Sequence, residues 1–287
     1  MEPALFASFA FLLAAAQPQA DAAALVSACE GKDGWNDPAP PVRIHGETYY
    51  VGTCGISAIL ITGPRGHVLI DGTTERAAPL IAASIERLGF RMRDVRLILN
   101  SHEHHDHAGG IAALQRLSGG SVRVREAARA TFASGRPVAG DPQYGILQPF
   151  PGVTVGRALR DGEIVSVGPI RITAHATPGH SPGGTSWSWR SCEGRVCHDI
   201  VYADSISAIG AEGYRFSDHP AYVATFRRSL ARIGGLPCDL LLTPHPSASR
   251  LLERLASGRL TDAAACRDYA AGGVARLDAR LAREAGR

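Results

Sequence analysis

Asn100-Ser101-His102-Glu103-His104-His105-Asp106-His107-Ala108-Gly109-Gly110 sets four imidazoles and two carboxylates in six consecutive positions, directly after the strand-like run Val95–Leu99. Imidazole nitrogen is a favoured zinc ligand, and a neighbouring carboxylate can complete a second site. In extended chain, residues two apart point the same way, so His102 and His104 can grip one ion together. Once the chain tightens, Asp106 and His107 can face a second ion ~3.5–4 Å from the first, the spacing of two-metal hydrolases. Ala108-Gly109-Gly110 lets the backbone turn closely beneath the metals. Glu103 and His105 alternate away from the ligands and read as supporting or surface residues.

Outward from this stretch, short apolar runs alternate with turns and helices. Ile56–Thr62 and His67–Asp71 read as a hairpin through Gly63-Pro64-Arg65-Gly66. Glu75 to Leu88 places Ala78, Ile81, Ile85 and Leu88 at helical spacing, with Gly89 as C-cap. Val95–Leu99 reads as a strand buried on both faces. A helix starting near Gly109 carries Ile111, Leu114 and Leu117. Further on, Ile164–Val167, Ile170–Ala176, Thr185–Trp189, Ile200–Ala203 and Asp239–Thr243 are strand candidates, while Tyr222–Ile233 and Thr261–Arg283 are helix candidates. This order predicts an α/β fold of two similar halves, sheet against sheet with helices outside: a four-layer αββα sandwich. Asp141–Pro151 is a Pro/Gly-rich loop long enough to be functional.

Two later histidines stand where a strand hands over to a rigid Pro/Gly loop. His180 lies in Thr177-Pro178-Gly179-His180-Ser181-Pro182-Gly183-Gly184, and His245 in Thr243-Pro244-His245-Pro246. Such loops mount a ligand that must not move. His45, His67, His175, His198 and His219 have no comparable setting.

Ala4 to Ala16 is almost wholly apolar and leads into Gln17-Pro18-Gln19 and small residues, so residues 1–20 read as a cleaved signal peptide and 21–287 as one domain. Met1-Glu2-Pro3 departs from that pattern in carrying no positive charge. A periplasmic or secreted protein with no stable membrane anchor is expected. Six cysteines, at 29, 54, 192, 197, 238 and 266, form no CxxC pair, so disulfides are favoured over metal binding. Of the 15 possible connectivities, pairing between neighbours in sequence is preferred: Cys29 with Cys54, Cys192 with Cys197, Cys238 with Cys266. Glu193-Gly194-Arg195-Val196 then forms a hairpin tip. The composition, 45% hydrophobic and 20% charged, is that of a globular chain. A net charge of +3 without a basic run does not favour nucleic-acid binding. With no exposed apolar stripe evident, a monomer is expected.

His-x-His-x-Asp-His, then Gly-His-Ser-Pro-Gly, then a late Pro-His resembles the metallo-β-lactamase superfamily. Tyr202-Ala203-Asp204-Ser205-Ile206-Ser207-Ala208 and Leu236-Pro237-Cys238-Asp239-Leu240-Leu241-Leu242-Thr243-Pro244-His245-Pro246 resemble its third β-lactamase subclass. The resemblance runs from about Cys29 to the C-terminus. It implies two zinc ions, the first on His102, His104 and His180 and the second on Asp106, His107 and His245. Where a first-subclass enzyme has a cysteine ligand, Ser205 stands here, and His107 replaces it. Ser205 and Ser207 become candidates for hydrogen-bonding a substrate carboxylate or an ordered water. Tyr214, Gln143 and Gln148 are further candidate contacts with a small β-lactam substrate. The implied chemistry is hydrolysis of penicillins, cephalosporins and carbapenems by direct attack of a zinc-bound hydroxide that Asp106 orients. No Ser-x-x-Lys stands in a nucleophile setting, so no acyl-enzyme is expected.

Two other readings compete. A thioesterase or lactonase of the same superfamily would bridge its metals with an aspartate from the strand ending at Asp204. A zinc-binding module without catalysis would close each ion with four protein ligands; six ligands for two ions leave room for water.

Overall fold

A computed structural model describes residues 22–286; the expected signal segment, residues 1–20, lies outside them. Helix α1 (Ala22–Ala28) leads into strands β1 (Val42–His45), β2 (Thr48–Tyr50), β3 (Ile59–Ile61) and β4 (His67–Ile70). Helix α2 (Ala78–Arg87) precedes β5 (Val95–Leu99), the one-turn α3 (His105–Ala108), α4 (Ile111–Ser118), β6 (Ser121–Val122) and α5 (Glu126–Ser134). Strands β7 (Ile164–Val167), β8 (Ile170–Ala176), β9 (Thr185–Glu193) and β10 (Val196–Tyr202) follow. Helix α6 (Pro220–Gly234), β11 (Leu240–Leu242), α7 (Leu251–Ala256) and α8 (Ala265–Ala285) complete the order.

The strands form two mixed sheets, one ordered β1-β2-β3-β4-β5-β6 and the other β11-β10-β9-β8-β7. Their apolar runs are continuous because both faces of each central strand are covered. Ile59, Ile61, Val68, Ile70, Leu97 and Leu99 point between the sheets, where they meet Ile172, Trp187, Ile200, Tyr202, Leu240 and Leu242. The residues between them point outward. Leu60, Leu69 and Ile98 pack under Ile81 and Ile85 of α2 and Ile111 and Leu114 of α4. On the other side, Val201 and Leu241 pack under Phe226 and Leu230 of α6 and Ala270 and Leu277 of α8. The period of two thus builds helix, sheet, sheet and helix layers, the expected αββα sandwich. Each fully buried Leu, Ile or Phe contributes roughly 1.5–3 kcal/mol relative to exposure. The two indoles crossing the centre are also satisfied: Trp187 Nε1 donates to Asn100 O at 3.2 Å and Trp189 Nε1 to Thr48 Oγ1 at 3.0 Å.

Some expectations need correction. Arg96 interrupts β5 and is exposed, so that strand is not apolar throughout. Leu117 is 55% exposed rather than part of the α4 core face, because α4 begins at Ile111 and turns that position outward. The C-terminal helix starts at Ala265 rather than near Thr261. Strands β9 and β10 reach further than their apolar cores, to a tight turn at Gly194, whose φ of +59° suits glycine. All three cysteine pairs form as expected: Cys29–Cys54, Cys192–Cys197 and Cys238–Cys266. Among the described residues no helix is long and apolar enough to cross a membrane.

Strands β4 and β5 run parallel, and so do β10 and β11. Strand β8 shares the direction of β10 through β9, which is antiparallel to both. The C-terminal ends of these five strands therefore gather Asp71, the His102–His107 stretch, His180, Asp204–Ser207 and His245 at one edge of the sandwich.

Candidate metal centre

Asp71 at the end of β4 organises the edge. It is fully buried and adopts a left-handed φ of +66°, with Thr73 at +55° two residues on. Positive φ is uncommon outside glycine and strained for the β-branched Thr73, so the turn needs contacts at Asp71 to hold it. The contacts are present. Asn100 Nδ2 and the Ser101 amide donate to Asp71 Oδ1 at 2.9 and 2.6 Å. Ser101 Oγ and the Tyr202 hydroxyl donate to Oδ2 at 2.7 and 2.6 Å. One carboxylate thereby fixes the start of the histidine stretch to both sheets. Beyond that stretch, Gly110 passes so close to the 71–74 turn that a Cβ on it would lie 2.2 Å from Gly72 O. Only glycine fits.

Two overlapping triads result: His102, His104 and His180, and His102, Asp106 and His107, each with its ligand atoms within 4.8 Å of one another. In the first triad each imidazole spends one nitrogen on the protein. His102 Nδ1 meets Asp204 Oδ1 at 2.8 Å, His104 Nε2 meets Asp141 Oδ2 at 2.9 Å, and His180 Nδ1 meets Ser207 O at 2.9 Å. All three acceptors require the histidine nitrogen to donate, which leaves His102 Nε2, His104 Nδ1 and His180 Nε2 as lone pairs. Asp106 Oδ2 stands between His107 Nε2 at 3.0 Å and His245 Nε2 at 3.3 Å, bringing His245 to the second group.

The electrostatics suit a dication. Burial, reinforced by His107, His104 and His180, holds His102 well below the usual imidazole range. Burial and then His104 push His180 down to about 3. Burial alone would raise the Asp106 carboxyl, but His107 and His245 outweigh it and hold the group well below the carboxylate range. The Asp106 carboxylate in turn raises His107 against its burial, so without metal these two form an ion pair, while His102 and His180 offer neutral nitrogens of the kind a metal takes. His102 Nε2 is also buried without a hydrogen-bond partner, a cost of about 1–3 kcal/mol that a bound ion removes. These residues fit metal, and their nitrogen-rich chemistry fits zinc.

The other candidates divide. Gln143 is buried, its amide nitrogen 3.4 Å from His180 Nε2, the lone pair that faces the cluster. Ser205 and Ser207 line a cavity of about 870 Å³ that also touches His245, Tyr269 and Arg276. Ser207 Oγ lies 2.9 Å from His180 Nδ1, so its first contact is with a ligand histidine. Tyr214 is not aimed at the ligands by any hydrogen bond; its ring stacks on His219 at 4.7 Å and meets Phe216 edge-on. Gln148 is exposed and bonded to none of the ligands among the described residues. Asp204 lies behind His102 rather than between two ligand groups.

Sequence reasoning missed Asp71, Asp141 and Tyr202. An aspartate ending the apolar run His67–Ile70 and followed by Gly72 was a usable signal for the first. Asp141 opens a loop already suspected of function, yet nothing local marks it as a histidine partner. Glu103 was expected to support the ligands or lie on the surface; it is buried, accepting from Ser181 Oγ at 3.0 Å and the Gly183 amide at 2.7 Å.

Residues 51–245 match the model of the metallo-β-lactamase superfamily. The metallo-β-lactamase MIM-1 of Novosphingobium pentaromativorans is 51% identical, with 92% of this chain and 98% of that one covered at a TM-score of 0.89. MEM-A1, a subclass B3 metallo-β-lactamase from a soil metagenome library, is 47% identical over 88% of this chain and 99% of that one, at a TM-score of 0.86. A hydroxyacylglutathione hydrolase of Anaeromyxobacter dehalogenans is 28% identical over 62% of this chain and 56% of its own length. The chain spans between about half and two-thirds of the length of the curated relatives it matches. By family match, identity and superposition, the chain belongs to the metallo-β-lactamase superfamily and groups with its subclass B3 enzymes.

Proposed function

We propose that this protein is a zinc-dependent β-lactamase that opens the ring of penicillins, cephalosporins and carbapenems without a covalent intermediate. The observation that carries it is the pair of triads joined at His102, together with the position of Asp204 behind that histidine. His102, His104 and His180 would hold one zinc ion, and Asp106, His107 and His245 the other. Zinc there supplies a Lewis acid for the ring carbonyl and lowers the pKa of water into the neutral range.

The chain's own residues do the rest. Asp106, ionised and poised between His107 and His245, offers an acceptor that orients a nucleophilic water. Ser205 and Ser207 offer hydroxyls to a substrate carboxylate from the lining of the cavity that reaches His245, which is of the size that takes a small molecule. Gln143 stands beside His180 Nε2, and its loop is tied to the segment after Ser207 where the Ala211 amide donates to Pro142 O at 2.8 Å. Tyr214 and Gln148 are left as outer-rim contacts. Three disulfides fit an oxidising compartment. They support a periplasmic or secreted location, and the proposal is completed by a monomer of one domain, residues 21–287, after loss of residues 1–20.

The thioesterase reading has one observation in its favour, the partial likeness to hydroxyacylglutathione hydrolases. Against it, Asp204 is engaged by His102 Nδ1 at 2.8 Å and is not offered to two ions. A spectrophotometric assay of the zinc-loaded protein discriminates the two, using a penicillin, a cephalosporin, a carbapenem and a hydroxyacyl thioester of glutathione, each with and without chelator. Chelator-sensitive turnover of the β-lactams is expected. Turnover of the thioester alone would overturn the proposal.

A further inference from the structure

The first triad takes two ligands from the loop after β5 and one from the loop after β8, so elements distant in sequence must be held in register. Glu103 sits between His102 and His104, and in extended chain its side chain points opposite to theirs. It is 3% exposed. Its two oxygens take both donors of the turn that follows His180: Oε2 accepts from Ser181 Oγ at 3.0 Å and Oε1 from the Gly183 amide at 2.7 Å. The turn is shaped for this grip, because a Cβ on Gly183 would lie 2.3 Å from Glu103 Oε2. Arg125, just before α5, holds the far end of the same turn, its Nη1 donating to Gly184 O at 2.8 Å. The Thr185 amide donates to Ser101 O at 2.7 Å. The ligand-bearing turn is therefore fastened on its inner side by residues that flank the other two ligands.

We propose that Glu103 is a positioning residue that sets His180 against His102 and His104, and that it acts through the reach of its two acceptors rather than through its charge. This rests on His180 sharing an ion with His102 and His104. Three substitutions separate reach from charge. Glu103→Gln keeps the length, with an amide oxygen for the Gly183 N–H and an amide nitrogen for Ser181 Oγ. Glu103→Asp keeps the charge but falls one methylene short. Gly183→Ala leaves Glu103 intact and drives the turn off both Glu103 and Ala128, whose Cβ would lie 2.6 Å from the new methyl.

The readouts are zinc stoichiometry and affinity by competition with a chromophoric chelator, the visible spectrum of the cobalt-substituted protein, and thermal unfolding of the metal-free form. Glu103→Asp and Gly183→Ala should each weaken the first site by roughly 10- to 100-fold, the usual cost of losing a group that orients a ligand. The cobalt bands of that site should change, while the second equivalent still binds. Glu103→Gln should stay within about threefold of the parent, a difference under ~0.7 kcal/mol. If Glu103→Asp proves unfolded without metal, Gly183→Ala and Glu103→Gln decide alone. Parent-like affinity in Gly183→Ala, or a loss in Glu103→Gln equal to that in Glu103→Asp, overturns the inference. A parent protein that binds no zinc would instead sink the metal reading beneath it.

Discussion

The two halves of the metal centre are built to different standards. In the His102, His104 and His180 triad every imidazole is buried, and each has its second nitrogen bound to a fixed acceptor: Asp204, Asp141 or the Ser207 carbonyl. In the Asp106, His107 and His245 group, His245 is 35% exposed on the loop after β11. The nearest partner of His107 Nδ1 is Asp71 Oδ2 at 3.8 Å, beyond hydrogen-bond range. A ligand whose rotamer is already fixed loses little entropy when metal binds, whereas a mobile one must be ordered first. The difference teaches that the first group is preorganised for a metal, whereas the second would be ordered only as the ion proposed for it binds.

The largest expected effect tests what joins the two. His102 has one free nitrogen, for the first ion, but its ring packs 4.3 Å from that of His107 and belongs to both triads. His102→Ala should therefore remove a ligand of the first ion and, by loosening His107, disturb the second as well. Turnover of any β-lactam should fall by well over the ~100-fold that loss of an orienting partner costs, and zinc content after dialysis should drop below one equivalent. Retention of one tight zinc would show the sites to be independent and would break the comparison as drawn.

An intermediate effect is expected at His245. His245→Ala should release the second zinc and leave the first equivalent with near-parental affinity. In the parent, stepwise chelation should likewise remove one equivalent before the other, monitored by zinc release alongside turnover. Simultaneous loss of both ions would mean that the exposed histidine supports the buried triad, contrary to the asymmetry of burial.

How much of this was legible beforehand follows from where the information lies. The αββα layering was readable because buried strands such as Ile59–Ile61 and Leu240–Leu242 are apolar at every position, a local property. The clustering of histidines was readable because they stand at tight spacing in one stretch, and His180 and His245, marked by their Pro/Gly mounts, do converge with them. Strands β1 and β2 and helices α5 and α7 were not read. The first two are short and interleaved with Arg43, His45 and Thr48, while Glu126–Ser134 mixes alanine with polar residues and carries little pattern. The partners of the ligands were the least visible. Asp204 reaches His102 across 102 residues and Asp141 reaches His104 across 37. Such pairings exist only once the sheets have stacked, and no local spacing encodes them. Tyr214 differs from these: its position near the site was legible, but the setting of its ring, which packs on His219 and Phe216, was not.

The smallest effect concerns Ser207, where the two functions of one residue can be separated. Its hydroxyl and its carbonyl both lie 2.9 Å from His180 Nδ1. A neutral imidazole has one N–H at that nitrogen, and the carbonyl can accept it without help. Ser207→Ala therefore removes a redundant acceptor from the first site but leaves His180 held, so zinc affinity should hardly move. The same hydroxyl faces the cavity shared with Ser205 and His245, where it is free to donate to a substrate carboxylate. Losing one such hydrogen bond costs about 1 kcal/mol, or roughly fivefold. It should appear as a raised KM with kcat nearly unchanged, the pattern of an interaction made equally in ground and transition states. A fall in kcat with reduced zinc content would instead make Ser207 part of the preorganised triad. The first site would then depend on a side chain where the structure offers a carbonyl.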